Sequence, residues 1–478
     1  MERQRKILFV CSAISAAIVL YCYNPFELYF QNDDFIHIPL SANGELLQHN
    51  TFRPICDLSI MLDYYLWGKN AYGYHFTNLI LHIICTILVF LLSRDLFNKY
   101  AHAKDVRFAF ITSLIFFLYP MHSEAVFWIL GRSAILGCIF FLLSIIFFLK
   151  REKKIFFFLS VFFAFTAWLS YESSWVLPVA LLCISVVDVK TGASSFKKER
   201  LYISVIILAF CAYIITRDYY IHEIIGQYEA AGFLNCNIQL LSQNFFKLMM
   251  RSWLPPFIDS NWLIVSFFIV AALLFLLYYN IKTGAARAFF LILIALWLIS
   301  LVLYASLGID TKGTEGERFL YMPSIPVCMI LGFLSSLFFE KKLQKVILVS
   351  LGILYLGILY INTTNYRLAG TIVKTTLAEV KKLKTGQSLY VQRLPQAAHG
   401  ALIFRDGFKE AVDWITSPQE PHEIIICSQM QENEPLQYSY KVQYTDSITI
   451  DQCSGAKPET QSNVLLFSYT DSVLYIFR

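Results

Sequence analysis

Three short stretches gather carboxylates and arginines in a chain that otherwise carries little charge. "QNDDFIHIPL" (31–40) sets Asp33 beside Asp34, "HSEAVFWILGRS" (122–133) carries His122, Glu124 and Arg132, and "EGERFLY" (315–321) carries Glu315, Glu317, Arg318 and Tyr321. A partly buried aspartate with a second carboxylate beside it has a raised pKa and can take a proton from an incoming hydroxyl. An arginine grips a phosphate through parallel N–H bonds and stabilises the charge that builds as that phosphate leaves. Together these groups could move a substituent from a lipid phosphate to a hydroxyl. Each also has a plainer use. Asp33 would cap a helix, and Arg132 and Arg318 would serve as interfacial anchors with their stems along lipid. His122 and Glu124 would join Asp33 or Asp34 around a metal, although no ligand spacing demands it.

The elements that must position these residues are membrane helices. Hydrophobic residues make up 57% of the 478 and charged residues 15%, with 42 phenylalanines and 28 tyrosines; soluble domains run at roughly 45–50% and 25%. The net charge of +5 does not point to nucleic acid, because the basic residues sit in short runs between apolar stretches, "KREKK" (150–154) and "KKER" (197–200). About 20 apolar residues cross a bilayer as helix. Stretches that suffice lie near 7–24, 77–97, 107–121, 134–149, 155–171, 174–188, 201–217, 262–280, 287–307, 319–339 and 345–361, about eleven spans, with Pro120 and Pro178 as candidate breaks. The first reads as an uncleaved span, since no small-residue cleavage site follows it.

Basic residues favour the cytoplasmic side, which puts segments 1–6, 98–106, 150–154, 189–200, 281–286 and 340–344 inside together with the N-terminus. Segments 25–76, 122–133, 172–173, 218–261 and 308–318 then lie outside, so all three charged stretches share one membrane face. No Asp, Glu, Lys or Arg occupies the centre of a span, and His82 is the only ionisable group there apart from Cys and Tyr. Ion-coupled transport needs such groups, so a transporter is the weaker class. Two outer segments, "PICDLSIMLDYYLWG" and "IQLLSQNFFKLMMRSWLPPF", have apolar residues at helical spacing and read as interfacial helices.

From about 362 the character changes. "TTLAEVKKLK" reads as helix, "SLYVQRL", "HEIIICS" and "NVLLFSY" as strands, and "YKVQYTDSITI" and "LLFSYTDSVLYIF" as hairpins. The chain thus divides into a membrane domain, 1–361, and a small extracytoplasmic α+β domain, 362–478. The cysteines show no metal-binding pattern. Cys427 and Cys453 would form a disulfide in an oxidising compartment.

The acidic pair after the first span resembles the GT-C superfamily of polyprenyl-phosphate-sugar glycosyltransferases. Three stretches, "FRPICDLSIMLDYYLWGKNAYGYHFTNLILH" (52–82), "YPMHSEAVFWILGRSAIL" (119–136) and "ERFLYMPSIPVC" (317–328), resemble the membrane part of the tetratricopeptide-containing transmembrane O-mannosyltransferases and their bacterial relatives. The resemblance implies a GT-C membrane fold and a donor sugar on undecaprenyl or dolichyl phosphate. It also implies an extracytoplasmic active site. Carried over, Asp33 is the first choice for the base, with Asp34 its partner or the base itself. His122, Glu124 and Arg132 match one motif, and Glu317, Arg318 and Tyr321 the other. Both arginines would bind donor phosphate. No metal is required, although a divalent cation at Asp33 and Glu124 is a second option.

The chain departs from the eukaryotic members in ending without tetratricopeptide repeats. The acceptor is therefore open between protein Ser/Thr and a glycan or lipid. The alternative class is a lipid-linked sugar flippase or an envelope assembly scaffold. Compact loops and a single sequon at Asn362 lean toward a bacterial inner membrane.

Overall fold

The computed structural model describes residues 23–46, 51–101, 106–222, 237–256, 260–281, 283–337, 341–383, 388–416, 423–430, 441–445, 463–468 and 473–477. Most of the first expected span therefore lies outside the described residues. The ten later apolar stretches are helical over most of their described residues. Among the described residues six helices are long and apolar enough to cross a membrane: Ala71–Tyr100, Ile129–Phe148, Glu172–Lys190, Phe196–Ile221, Trp262–Asn280 and Lys345–Val380. Lys154–Trp168, Ala286–Val302 and Ser324–Leu334 are apolar but shorter. Val106–Leu118 and Pro120–Phe127 bend by 56° against each other. Pro120 has no N–H to continue the ladder and forces Tyr119 into an extended conformation (ψ 113°). That break turns Glu124 out of the line of the preceding helix. Pro178, by contrast, sits in the first turn of Leu177–Lys190, where its missing donor is harmless.

Both outer segments read as interfacial are helices, Pro54–Trp67 and Ile238–Arg251. The first is inverted relative to a soluble helix. Asp57 and Asp63 point into the protein, while Leu58, Leu62, Tyr65 and Leu66 are exposed. Exposed apolar residues recurring at helical spacing suit a membrane surface, and the inward carboxylates are there to meet arginines.

At the far end of the Ala71–Leu96 helix a compact charge network ties the bundle together. Arg151 donates to Asp188 at 2.6 Å and to Glu199 at 2.6 Å, and Asp188 also accepts from Lys99 at 2.7 Å and the Tyr100 hydroxyl at 2.8 Å. Two cations face two carboxylates, so nothing buried there lacks a counter-charge.

The last helix runs unbroken from Lys341 to Val380, across position 361 and into "TTLAEVKKLK", so the span and the tail helix read separately from the sequence are one element. Beyond it lies a mixed five-stranded sheet, order β4-β1-β6-β7-β5, built from Leu389–Gln392 (β1), Ile424–Ile426 (β4), Lys441–Thr445 (β5), Asn463–Ser468 (β6) and Val473–Phe477 (β7). Strands β6 and β7 pair antiparallel, as the second hairpin reading expects. The first does not close locally over its described part: β5 lies parallel to β7, and residues 446–450 are outside the described set. Cys427 is disulfide-bonded, and Cys453 lies outside the described residues.

A small hairpin, Ala397–Ala398 (β2) with Ala401–Leu402 (β3), presses its turn onto the loop before Glu315. A Cβ on Gly400 (φ 88°) would fall 2.3 Å from the Thr314 nitrogen, and one on Gly313 2.9 Å from the Gly400 Cα. Trp414 meets Phe30 edge-on at 5.1 Å, Phe404 stacks against Phe35 at 6.4 Å, and Lys69 donates to the Trp414 carbonyl. The tail is thus packed onto the Asp33 loop. Gly400→Ala should undock the hairpin, since the left-handed backbone alone costs an L-residue roughly 1–2 kcal/mol and the new methyl has no room. The expected result is faster limited proteolysis of the tail with intact membrane helices. An unchanged cleavage rate would show the contact to be unimportant.

Candidate active site

The acidic pair splits in two directions. Asn32 adopts a left-handed conformation (φ 49°), which asparagine tolerates better than most residues, and Gln31 anchors the loop by donating from Nε2 to the Tyr366 carbonyl at 2.9 Å. The next residues enter the Asp34–Ala42 helix. Asp34 points inward and is fully buried, with Oδ2 accepting from the Gln31 N–H at 2.9 Å. Burial drives its carboxyl well above the usual range. The Gln31 and Leu130 N–H groups and Arg132 oppose that rise only in part, and the charge of Asp33 adds to it.

Asp33 points outward and is only half-buried. It occupies the cap position of the helix but makes no capping bond; its Oδ1 instead accepts from Asn32 Nδ2 at 2.8 Å. Its carboxyl is pushed up to about 6, by burial first and by the Asp406 carboxylate second, while Arg318 and Arg405 pull it down. A carboxylate so poised is ionised at neutral pH yet basic enough to accept a proton.

The four arginines around these residues divide by exposure. Arg132 and Arg251 have side chains 0% exposed, whereas Arg318 is 20% and Arg405 28% exposed. All five N–H groups of Arg132 are engaged inside the protein. Nε donates to Asn78 Oδ1 at 2.7 Å, Nη1 to the Ser59 carbonyl and hydroxyl at 3.2 and 3.0 Å, and Nη2 to Asp63 and the Tyr74 carbonyl. Such an arginine fixes the Pro54–Trp67 helix against the bundle and has no donor left for a phosphate, contrary to the role carried over for it from the sequence. Glu317 likewise pairs inward, with Arg251 at 2.6 Å, and Arg251 adds the Leu254 carbonyl at 2.6 Å.

Arg318 is the arginine that faces the rim beside Asp33. Its guanidinium meets Glu124, whose second oxygen accepts the Arg318 backbone N–H at 2.9 Å, and the guanidinium carbon lies 5.1 Å from the centre of the Trp128 ring. Beside it, Arg405 forks onto both oxygens of Glu315 at 2.6 and 2.8 Å. These bonds hold the Glu315 carboxyl below the usual range despite burial.

His122 and Tyr321 belong elsewhere. His122 Nε2 lies 2.8 Å from the Ser324 hydroxyl, the Tyr321 hydroxyl 2.7 Å from His82 Nδ1, and the His122 and Tyr321 rings are 4.4 Å apart. Both are wholly buried in an aromatic nest that supports the Ser123–Phe127 turn from within. Arg318, held by the buried Glu124, lies near enough to Asp33 for its charge to act on that carboxylate, and Asp34 lies just inside. Arg132, Glu317, His122 and Tyr321 stand in the framework behind them.

Sequence reasoning missed Arg405, Asp406 and Asn32. "FRDG" (404–407) carries an arginine, an aspartate and a turn glycine, but its relation to Asp33 is purely tertiary. Among the described residues no three His, Cys, Asp or Glu side chains gather as metal ligands.

Arg132→Met should lower stability by about 3–5 kcal/mol, because Asp63 would be left buried without a counter-charge. Adding Asp63→Leu should recover most of that loss in detergent unfolding experiments. A single variant as stable as the wild type would contradict the framework role.

No family model matches the chain. Curated relatives do. The protein O-mannosyl-transferase TMTC1 of Mus musculus is 37% identical over 108 residues, 22% of this chain and 10% of that protein. The protein O-mannosyl-transferase TMTC2 of the same species is 32% identical over 161 residues, 30% of this chain and 18% of that protein. The matched stretches are thus a small part of these relatives' length. Among solved structures, ArnT from Cupriavidus metallidurans in the apo state covers 90% of this chain and 86% of its own, at a TM-score of 0.50 and 12% identity. The same protein bound to undecaprenyl phosphate gives a TM-score of 0.49. These likenesses agree with the resemblance read from the residues: over the matched stretches the chain is similar in sequence to protein O-mannosyl-transferases, and its fold is similar to that of ArnT from Cupriavidus metallidurans.

Proposed function

We propose that this multi-pass membrane protein is a glycosyltransferase moving a sugar from a polyprenyl-phosphate donor to an acceptor hydroxyl outside the cytoplasm. The observation that carries the reading is that the guanidinium of Arg318, held by Glu124, acts on Asp33 at a partly open rim although the three positions lie far apart in sequence. Asp33 takes the proton of the acceptor hydroxyl as its oxygen attacks the anomeric carbon. The bond from that carbon to the phosphate oxygen breaks, the configuration inverts, and the polyprenyl phosphate leaves with the electron pair. Arg318 receives that charge, and Glu124 holds its guanidinium in place. Asp34, buried behind it, secures the loop by accepting from the Gln31 N–H.

An apolar cleft within the bundle suits the lipid tail. It is lined by Leu96, Tyr100, Val176, Leu293, Met322 and Met329 among others, and Met322 follows closely on Arg318, so a phosphate at the rim would lead its chain toward the cleft. In this reading residues 1–361 form the membrane domain, with about eleven spans and a cytoplasmic N-terminus. Residues 362–478 form an extracytoplasmic domain, and the membrane is a bacterial inner membrane. The disulfide at Cys427 supports an oxidising environment for the tail. The acceptor is a protein Ser/Thr or a glycan or lipid hydroxyl.

The test is reconstitution in liposomes with a polyprenyl-phosphate sugar and a set of acceptors, scoring free polyprenyl phosphate and glycosylated product. Transfer should appear and should decline along an acid limb near pH 6, as Asp33 takes up its proton. Asp33→Asn should reduce the rate roughly 10²–10⁴-fold with donor binding retained. Movement of intact donor across the bilayer without release of polyprenyl phosphate would instead identify a flippase.

A further inference from the structure

The tail loop Ile403–Gly407 and the Asp33 loop are joined by a continuous line of hydrogen bonds that runs through Asn32. The Asn32 N–H donates to the Ile403 carbonyl at 2.9 Å, and the Asp406 N–H donates to Asn32 Oδ1 at 2.8 Å. Asn32 Nδ2 then donates to Asp33 Oδ1 at 2.8 Å. Asn32 is 2% exposed, and a Cβ on Gly407 (φ 78°) would lie 2.7 Å from the Asn32 carbonyl oxygen. Both ends of the Asn32 amide are therefore engaged, one by the tail and the other by the carboxylate. An amide pinned at both ends cannot turn, and the oxygen it touches is pinned with it.

The same loop also sets the field at that carboxylate. Asp406 raises the proton affinity of Asp33 and Arg405, locked onto Glu315, lowers it. The other charged or titratable groups around Asp33 are Arg318, paired with Glu124, and two on its own helix. These are Asp34 next to it and His37 one turn on, whose N–H donates to the Asp33 carbonyl at 2.9 Å.

We propose that the tail domain is a working part of the active site: Asn32 is a positioning residue that orients Asp33 so that Oδ2 meets the acceptor, and Arg405 and Asp406 set the balance of charge around it. This rests on the reading of Asp33 as the base. Sugar transfer then requires the tail to be docked.

The experiment uses the full-length protein in liposomes with a polyprenyl-phosphate sugar and follows transfer across pH. Asn32→Gly keeps the left-handed backbone and removes the amide. It should lower kcat about 10–100-fold and leave the KM for donor unchanged. Asp406→Asn should move the acid limb of the profile to lower pH and Arg405→Gln to higher pH, each by about half a unit, while Arg405→Lys should restore the wild-type limb. Opposite shifts from adjacent residues are not produced by general loss of folding, which scales activity without moving a limb in two directions. Limbs that stay put, or move the same way, while Asp33→Asn still abolishes transfer would overturn this proposal alone. A wild-type protein that transfers no sugar would overturn the proposed function, and this inference with it.

Discussion

A guanidinium withdrawn from water must have its charge balanced and its N–H groups met, and the arrangement of this protein follows from that requirement. Arg132, Arg251, Arg318 and Arg405 each take a carboxylate from a distant part of the chain: Asp63, Glu317, Glu124 and Glu315. Each pairing fixes one element against another. The interfacial helix is held to the bundle, the Ile238–Arg251 helix to the loop ahead of Glu317, that loop to the bent segment after Pro120, and the tail to the same loop. The two buried pairs are closed. The two at the rim keep part of their guanidinium surface open, and that difference separates framework from site.

The neighbours Glu317 and Arg318 illustrate the division. They follow each other in a short helical turn, Glu317–Leu320, and face opposite ways: the glutamate inward to Arg251, the arginine outward to Glu124. Asp33 and Asp34 do the same at the start of their helix. In both motifs one residue secures the backbone while the other is presented at the surface. This explains how a loop at the end of membrane helices can hold an outward-facing side chain steadily.

Much of this was legible in the sequence because hydrophobic length and charge position are local signals. The apolar stretches marked the helices, Pro120 marked the bend, and the three charged motifs marked the elements that meet. What the sequence could not resolve was the facing of adjacent residues. Arg132 and Arg318 look equivalent as arginines at a membrane edge; only the inverted Pro54–Trp67 helix, with Asp63 turned inward, makes one structural. Tyr321 and His122 stand in motifs beside reactive groups, yet their aromatic surroundings place them in the interior. The contact of the tail with the Asp33 loop was not legible because nothing in "FRDG" indicates a partner 374 residues away at Asn32, and the strand at Lys441–Thr445 pairs parallel with a later strand, a non-local choice that alternating residues do not encode.

The Lys341–Val380 helix has 40 residues and so extends about 60 Å, roughly twice the thickness of a bilayer's hydrocarbon layer. It behaves as a mast on which the sheet is carried at fixed height and bearing. Each residue of a helix contributes 1.5 Å of rise and about 100° of rotation. One residue inserted between Lys341 and Val380 would thus displace the helix end by about 1.5 Å and swing it by about 100°.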